Sequence, residues 1–128
     1  MTKAPLIAIL VEDSRTIRDT LVPALRELGH TQVVAWATTS KEAAIALAAW
    51  HGEWELIIVD LFLAAGSGLD VLKQVQAREP GQHAIVLSNY ATDEMRRQCT
   101  ELGADGIFDK STEIDLFLDR CISIGEMR

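Results

Sequence analysis

The chain is poor in the residues that mark several classes of protein. It has two cysteines in 128 residues, Cys99 and Cys121, which match no metal-ligand spacing and fall inside predicted helices. Buried free thiols are therefore expected rather than a disulfide framework, and a reducing compartment is implied. No Lys/Arg run is present, and a formal net charge of -7 would repel a phosphate backbone, so a DNA or general nucleic-acid partner is not expected. No segment approaches the roughly 18 apolar residues that can span a bilayer. The apolar run Leu6 to Val11 is too short for the hydrophobic region of a signal peptide and ends at once in acids, with no small-residue cleavage site behind it. A cytoplasmic protein with no membrane partner is the expectation. Internal repeats, low-complexity tracts and linkers are lacking as well.

Hydrophobic residues make up 48% and charged residues 24% of the chain, a globular composition, and the length suits one compact domain. The last predicted helix ends within a few residues of Arg128, so residues 1–128 are expected to form a single domain whose output comes through a partner. Pro5 to Val11 reads as a buried strand. Ile17, Leu21, Val22, Leu25 and Leu28 then recur at helical spacing between an N-cap at Asp13 or Ser14 and a stop at Gly29, with Pro23 expected to kink the helix or mark a break. Gln32 to Ala37 forms a second strand, and a second helix opens at Ser40 and runs to Trp50. Trp50, His51 and Trp54 cluster at its end and read as a satellite hydrophobic cap.

Leu56 to Val59 is an unbroken apolar run, the pattern of a strand buried on both faces, and it ends in the lone acid Asp60. A third helix is expected over 68–77, with Leu69, Leu72 and Val75 inward. Ala84 to Leu87 is a fourth strand. Thr92 caps a fourth helix carrying Met95, Cys99 and Leu102, and Gly103 closes it. Gly106 to Phe108 is a fifth strand, and Ser111 or Thr112 is expected to cap a fifth helix with Ile114, Phe117, Leu118, Cys121 and Ile122 inward. Strict strand–helix alternation with short connections predicts a doubly wound α/β fold, a five-stranded parallel sheet covered on both faces.

The ends of those strands are polar. Glu12 and Asp13 follow the first, Asp60 the third, Ser88 the fourth and Lys110 the fifth. In a parallel sheet these ends share one edge, where ligands bind. Three carboxylates gathered there repel one another unless a cation intervenes, and an oxygen-only donor set suits Mg²⁺ or Mn²⁺ rather than zinc. Lys110 and Ser88 supply a point charge and a hydroxyl donor for a phosphoryl group, and Asp60 is the candidate nucleophile, forming an acyl phosphate.

With ILVEDS at residues 9–14, IIVDLFL at 57–63, VLS at 86–88 and GADGIFDK at 103–110, the chain resembles the receiver domains of bacterial two-component response regulators over essentially its whole length. The resemblance implies a flavodoxin-like sheet of order 2-1-3-4-5 with five helices. It implies that Asp60 accepts a phosphoryl group from a phosphohistidine on a sensor histidine kinase or histidine phosphotransfer protein. Glu12, Asp13 and Asp60 would hold Mg²⁺ with the backbone carbonyl of Phe62, and Ser88 and Lys110 would contact the phosphoryl oxygens. Such a protein is not an enzyme beyond its own phosphoryl transfer and slow autodephosphorylation. It signals through a downstream protein target or a phosphorylation-dependent homodimer.

Several positions depart from the family pattern. Ala64 stands where proline is frequent. Ile107 stands at the aromatic switch position, so the expected switch pair is Ser88 and Ile107. Phe108 cannot replace Ile107 because strand residues alternate faces. Ser111 follows Lys110 where the family carries a cis proline, and a trans bond is expected because a non-proline cis bond costs about 2.5–4 kcal/mol. Asn89 stands where a small residue is usual. Phe62 and Tyr90 would flank the acyl phosphate, for which a long lifetime is expected. The alternative reading is a phosphorylation-independent receiver that works only as a protein-interaction module. An aspartyl phosphatase is disfavoured because Phe62 occupies the place of its general acid, and a flavin or nucleotide site because Glu12 and Asp13 replace the phosphate-binding loop.

Overall fold

The computed structural model describes residues 4–89 and 91–128. Its elements are β1 (Leu6–Val11), α1 (Arg15–Leu28), β2 (Thr31–Ala37), α2 (Ser40–Ala49), β3 (Leu56–Val59), α3 (Gly68–Gln74), β4 (His83–Ser88), α4 (Asp93–Glu101), β5 (Gly106–Asp109) and α5 (Ile114–Glu126). The five strands are parallel in the order β2-β1-β3-β4-β5. This is the doubly wound α/β, flavodoxin-like arrangement. Alternation along each strand divides the core into two layers. Ala8, Leu10, Ile58 and Leu87 pack with Leu25 of α1 and Phe117 of α5. Ile9, Val11, Ile57 and Val86 pack with Ala43 of α2, Leu72 of α3 and Cys99 of α4.

Local signals explain most element ends. Ser14 caps α1 by accepting from the Ile17 N–H, Thr39 caps α2, Thr92 caps α4, and Ser67 forms a capping box with Asp70 at α3. Pro23 causes no break, because α1 runs through it with the ring on the exposed side. Helix α3 stops at Gln74, shorter than the 68–77 expected, and buries Val71 beside Leu72. Leu28 and Ile122 were expected inward but are exposed, at 61% and 38%, while Ile124 is buried.

Two further expectations are corrected. Neither Ser111 nor Thr112 caps α5: Glu113 occupies the N-cap, and its side chain accepts no hydrogen bond from the first turn of the helix. The Asp109 carboxylate, one residue before Lys110, accepts from the Ser111 and Thr112 N–H groups at 2.7 and 3.1 Å and organises the turn instead. Trp54 is no satellite, for it is buried within the α2–α4 layer and Trp50 packs against it. Cys99 and Cys121 are buried free thiols, and among the described residues every peptide bond is trans, Lys110–Ser111 included. No helix among the described residues is long and apolar enough to cross a membrane.

Candidate functional site

Strand register decides which polar residues meet. Val11 of β1 lies level with Val59 of β3, which lies level with Val86 of β4. Glu12 and Asp60, the next residue along β1 and β3, therefore emerge side by side, and the Asp60 N–H still donates to Val11 O at 2.9 Å. Ser88, two residues past Val86, reaches the same edge, and the Lys110 N–H bonds to its carbonyl at 3.3 Å. All five residues expected at the sheet edge are brought together.

Asp60 is the hub. Its Oδ1 accepts from Ser88 Oγ at 2.7 Å and from the Phe62 N–H at 3.2 Å, and its Oδ2 accepts from Lys110 Nζ at 2.8 Å. The same ammonium donates to Glu12 Oε1 and Oε2 at 2.9 and 3.0 Å. Glu12 is 2%, Asp60 7% and Ser88 1% exposed, whereas Asp13 is open to solvent. Burial pushes the Glu12 carboxyl up, with help from its hydrogen bond to Asp60 and against the pull of Lys110, to about 7. Burial also acts to raise Asp60, but hydrogen bonds with Glu12, Lys110 and Ser88 outweigh it and hold the carboxyl below its ordinary value. Burial acts to lower Lys110, and its bonds to Asp60 and Glu12 raise it on balance. At neutral pH Asp60 is thus ionised, Lys110 a fixed cation, and Glu12 poised between forms.

Oxygens of Glu12, Asp13 and Asp60 lie within 4.8 Å of one another. This donor set fits a hard divalent cation: it is all oxygen, it is open on the Asp13 side, and its two buried carboxylates, Glu12 and Asp60, share the single positive charge of Lys110. Asp13 forms no hydrogen bond or ion pair among the described residues, so its carboxylate is available.

The loop after Asp60 is folded back on it. Phe62 bridges to Ser67, the Gly68 N–H donates to Leu61 O at 3.1 Å, and a Cβ on Gly68 would lie 2.3 Å from the Asp60 carbonyl oxygen. Only glycine allows this approach, so Gly68 sets the Asp60 backbone from across the loop. By sequence Gly68 marks only a helix start, and the signal of its second role is a glycine at a position where helix propensity disfavours one. The side chain of Phe62 is 49% exposed, and Tyr90, expected opposite it, lies outside the described residues.

Ile107 and Phe108 do point to opposite faces. Ile107 is half-buried against the α2–α4 layer, while Phe108 joins the α1/α5 layer and meets Phe117 edge-on at 6.0 Å. Two departures from the family pattern turn out to be partners, since Ser111 Oγ bonds Asn89 Oδ1 at 2.8 Å and ties the β5–α5 turn to the loop after Ser88. Neither residue alone signals this; a pair of unusual residues at two adjacent strand ends could have.

A parallel α/β sheet with an acidic, lysine-bridged crevice at its carboxyl edge defines the class of protein. The chain belongs to the response regulator receiver domain family, whose profile matches residues 8–121. The non-phosphorylated HemR receiver domain from Leptospira biflexa superposes with a TM-score of 0.81 at 26% identity, covering 96% of each chain. A DNA-binding response regulator of the LuxR family from Staphylococcus aureus gives a TM-score of 0.82 at 15% identity over 94% of this chain and 98% of that one, a likeness of fold. The chain is also 26% identical over 108 residues to a cyclic di-GMP phosphodiesterase from Thermotoga maritima; the match takes in 84% of this chain and 28% of that protein's length.

Proposed function

We propose that Asp60 accepts a phosphoryl group from a phosphohistidine on a sensor histidine kinase or histidine phosphotransfer protein, and that the phosphorylated chain signals by changed binding to another protein. The observation that carries this reading is the state of Asp60: a buried carboxylate kept ionised, with Ser88 and Lys110 bonded to its two oxygens. Mg²⁺ held by the Glu12, Asp13 and Asp60 carboxylates and the Phe62 carbonyl would neutralise charge on a phosphoryl oxygen.

The residues then divide the work. A carboxylate oxygen of Asp60 attacks phosphorus as the P–N bond to the imidazole breaks, and the electron pair leaves with the imidazole. Lys110 and Ser88, already aimed at Asp60, donate to the oxygens on which charge accumulates and so stabilise the loose transition state. The added charge of about -1.5 to -2 pulls on Ser88 and Lys110. Their loops lead into α4 and α5, so the surface formed by α4, β5 and α5 is the one a partner or a second copy would read.

Incubation with acetyl phosphate and Mg²⁺ followed by intact mass measurement tests the reading. One added phosphoryl group is expected on the wild type and none on Asp60→Asn. An unchanged wild-type mass would favour the phosphorylation-independent interaction module. Decay followed in the same sample reports the lifetime, and loss within seconds at neutral pH contradicts slow hydrolysis.

A further inference from the structure

The loop carrying the two leading acids is held by a residue from the sheet edge. Trp36 of β2 donates from indole Nε1 to the backbone carbonyl of Glu12 at 2.6 Å. On the other side of the same residue, the Glu12 N–H donates to Ala37 O at 2.9 Å. The peptide joining Glu12 to Asp13 is thereby fixed by β2, and the next residue, Ser14, is committed to capping α1. Asp13 is left between two anchored neighbours with a free carboxylate.

The indole reaches this carbonyl because of an irregularity in β2. Val33 pairs with Ala8 but Ala35 pairs with Ile9, so Val34 is an extra residue in the strand. Without it, Trp36 would share a face with Val34 and lie opposite Val33. With it, Val33 and Trp36 both pack on the α1/α5 layer while Ala35 packs on the other. Bulges commonly re-aim a side chain beside a functional site. The Arg18 guanidinium of α1, 3.6 Å from the Trp36 ring centroid, stacks on the ring and holds its angle.

We infer that Trp36 is a positioning residue for the divalent-cation site: its indole N–H, re-aimed by the bulge at Val34, sets the Glu12–Asp13 peptide so that both carboxylates are presented to the cation. The inference rests on the receiver reading of the acidic crevice. Groups that orient ligands without touching the metal change affinity by about 10–100-fold when removed. Trp36→Phe keeps a ring under Arg18 and deletes only the N–H, so a loss near the lower end, about tenfold in Mg²⁺ affinity, is expected.

The test is calorimetric titration of the unphosphorylated full chain with Mg²⁺, paired with indole N–H resonances of the ¹⁵N-labelled wild type across the same titration. The expected result is Mg²⁺ binding about tenfold weaker in Trp36→Phe with folding in chelator little changed, and a Trp36 indole signal that shifts saturably while those of Trp50 and Trp54 stay. A purely structural tryptophan would lower the unfolding midpoint and leave the affinity of the folded protein alone, which overturns the inference. Should Trp36→Phe fail to fold, the wild-type indole signal decides, and a Trp36 resonance indifferent to Mg²⁺ overturns it equally. Absence of any Mg²⁺ binding by the wild type would instead strike at the receiver reading itself.

Discussion

Glu12 is 2% exposed and shares the Lys110 ammonium with a second buried carboxylate, so ionising both leaves two negative charges on one cation. Its pKa rises from 4.5 to about 7 on folding. Between those values the native state binds more protons than the unfolded chain, so stability falls as pH rises and the cost is complete above about 7. Asp60 works in the opposite sense: its lowered pKa contributes stability above the ordinary carboxylate range, lost as pH falls through the folded value. Glu12→Gln removes the first effect. In chelator, the variant should gain on wild type between about pH 5 and pH 8 by on the order of 3 kcal/mol. Gln also loses the ion pair with Lys110, so the readout is the change of the gap with pH, followed by urea unfolding. Stability curves that run parallel across that interval would show that Glu12 ionises freely in the fold.

The connection from β5 to α5 shows what an element's end needs. Ser111 and Thr112 look like caps by residue type, but the first free N–H groups there belong to Ser111 and Thr112 themselves, and a side chain accepts most readily from two or three residues ahead. Asp109 stands at that distance and takes both, while the Asp109 N–H is taken by Glu113 Oε1 at 3.0 Å. Asp109→Ala should therefore cost about 1–2 kcal/mol, measured by chemical denaturation, and should slow phosphorylation by acetyl phosphate because Lys110 lies inside the turn it loosens. A variant as stable and as reactive as wild type would mean that Glu113 alone holds the turn. Element positions were legible because apolar periodicity and turn residues agree along this chain. Which helix residue faces in was less so. Ile122 and Ile124 of α5 are the same residue type, and the choice between them is made by where the helix axis lies on the sheet, which only packing sets. The bulge at Val34 was hidden for the same reason, as an extra residue in an edge strand leaves the apolar run Val33–Val34–Ala35–Trp36 looking continuous.

At the scale of the whole molecule, the crevice exists only while four strand ends are in register. Glu12, Asp60, Ser88 and Lys110 come from β1, β3, β4 and the end of β5, and Lys110 bridges residues 98 and 50 positions away. The sheet-edge rule makes this convergence legible in the sequence, whereas the partnership of Trp36 with Glu12 depends on the bulge and on side-chain packing that no sequence pattern marks. A ligand that needs all these ends together binds the folded chain and not the unfolded one, so it must raise stability by mass action. At Mg²⁺ about 100-fold above its dissociation constant the gain is about 2.7 kcal/mol. The net charge of -7 means that any salt relieves some self-repulsion, so the comparison is with NaCl at matched ionic strength. Thermal unfolding should show a midpoint that climbs with Mg²⁺ beyond the NaCl control. Asp13→Asn should lose that climb yet match wild type in chelator, because the Asp13 carboxylate is exposed and forms no bond within the described residues. A Mg²⁺ response no larger than that to NaCl, or one that survives in Asp13→Asn, would mean that the three carboxylates do not act together as a cation site.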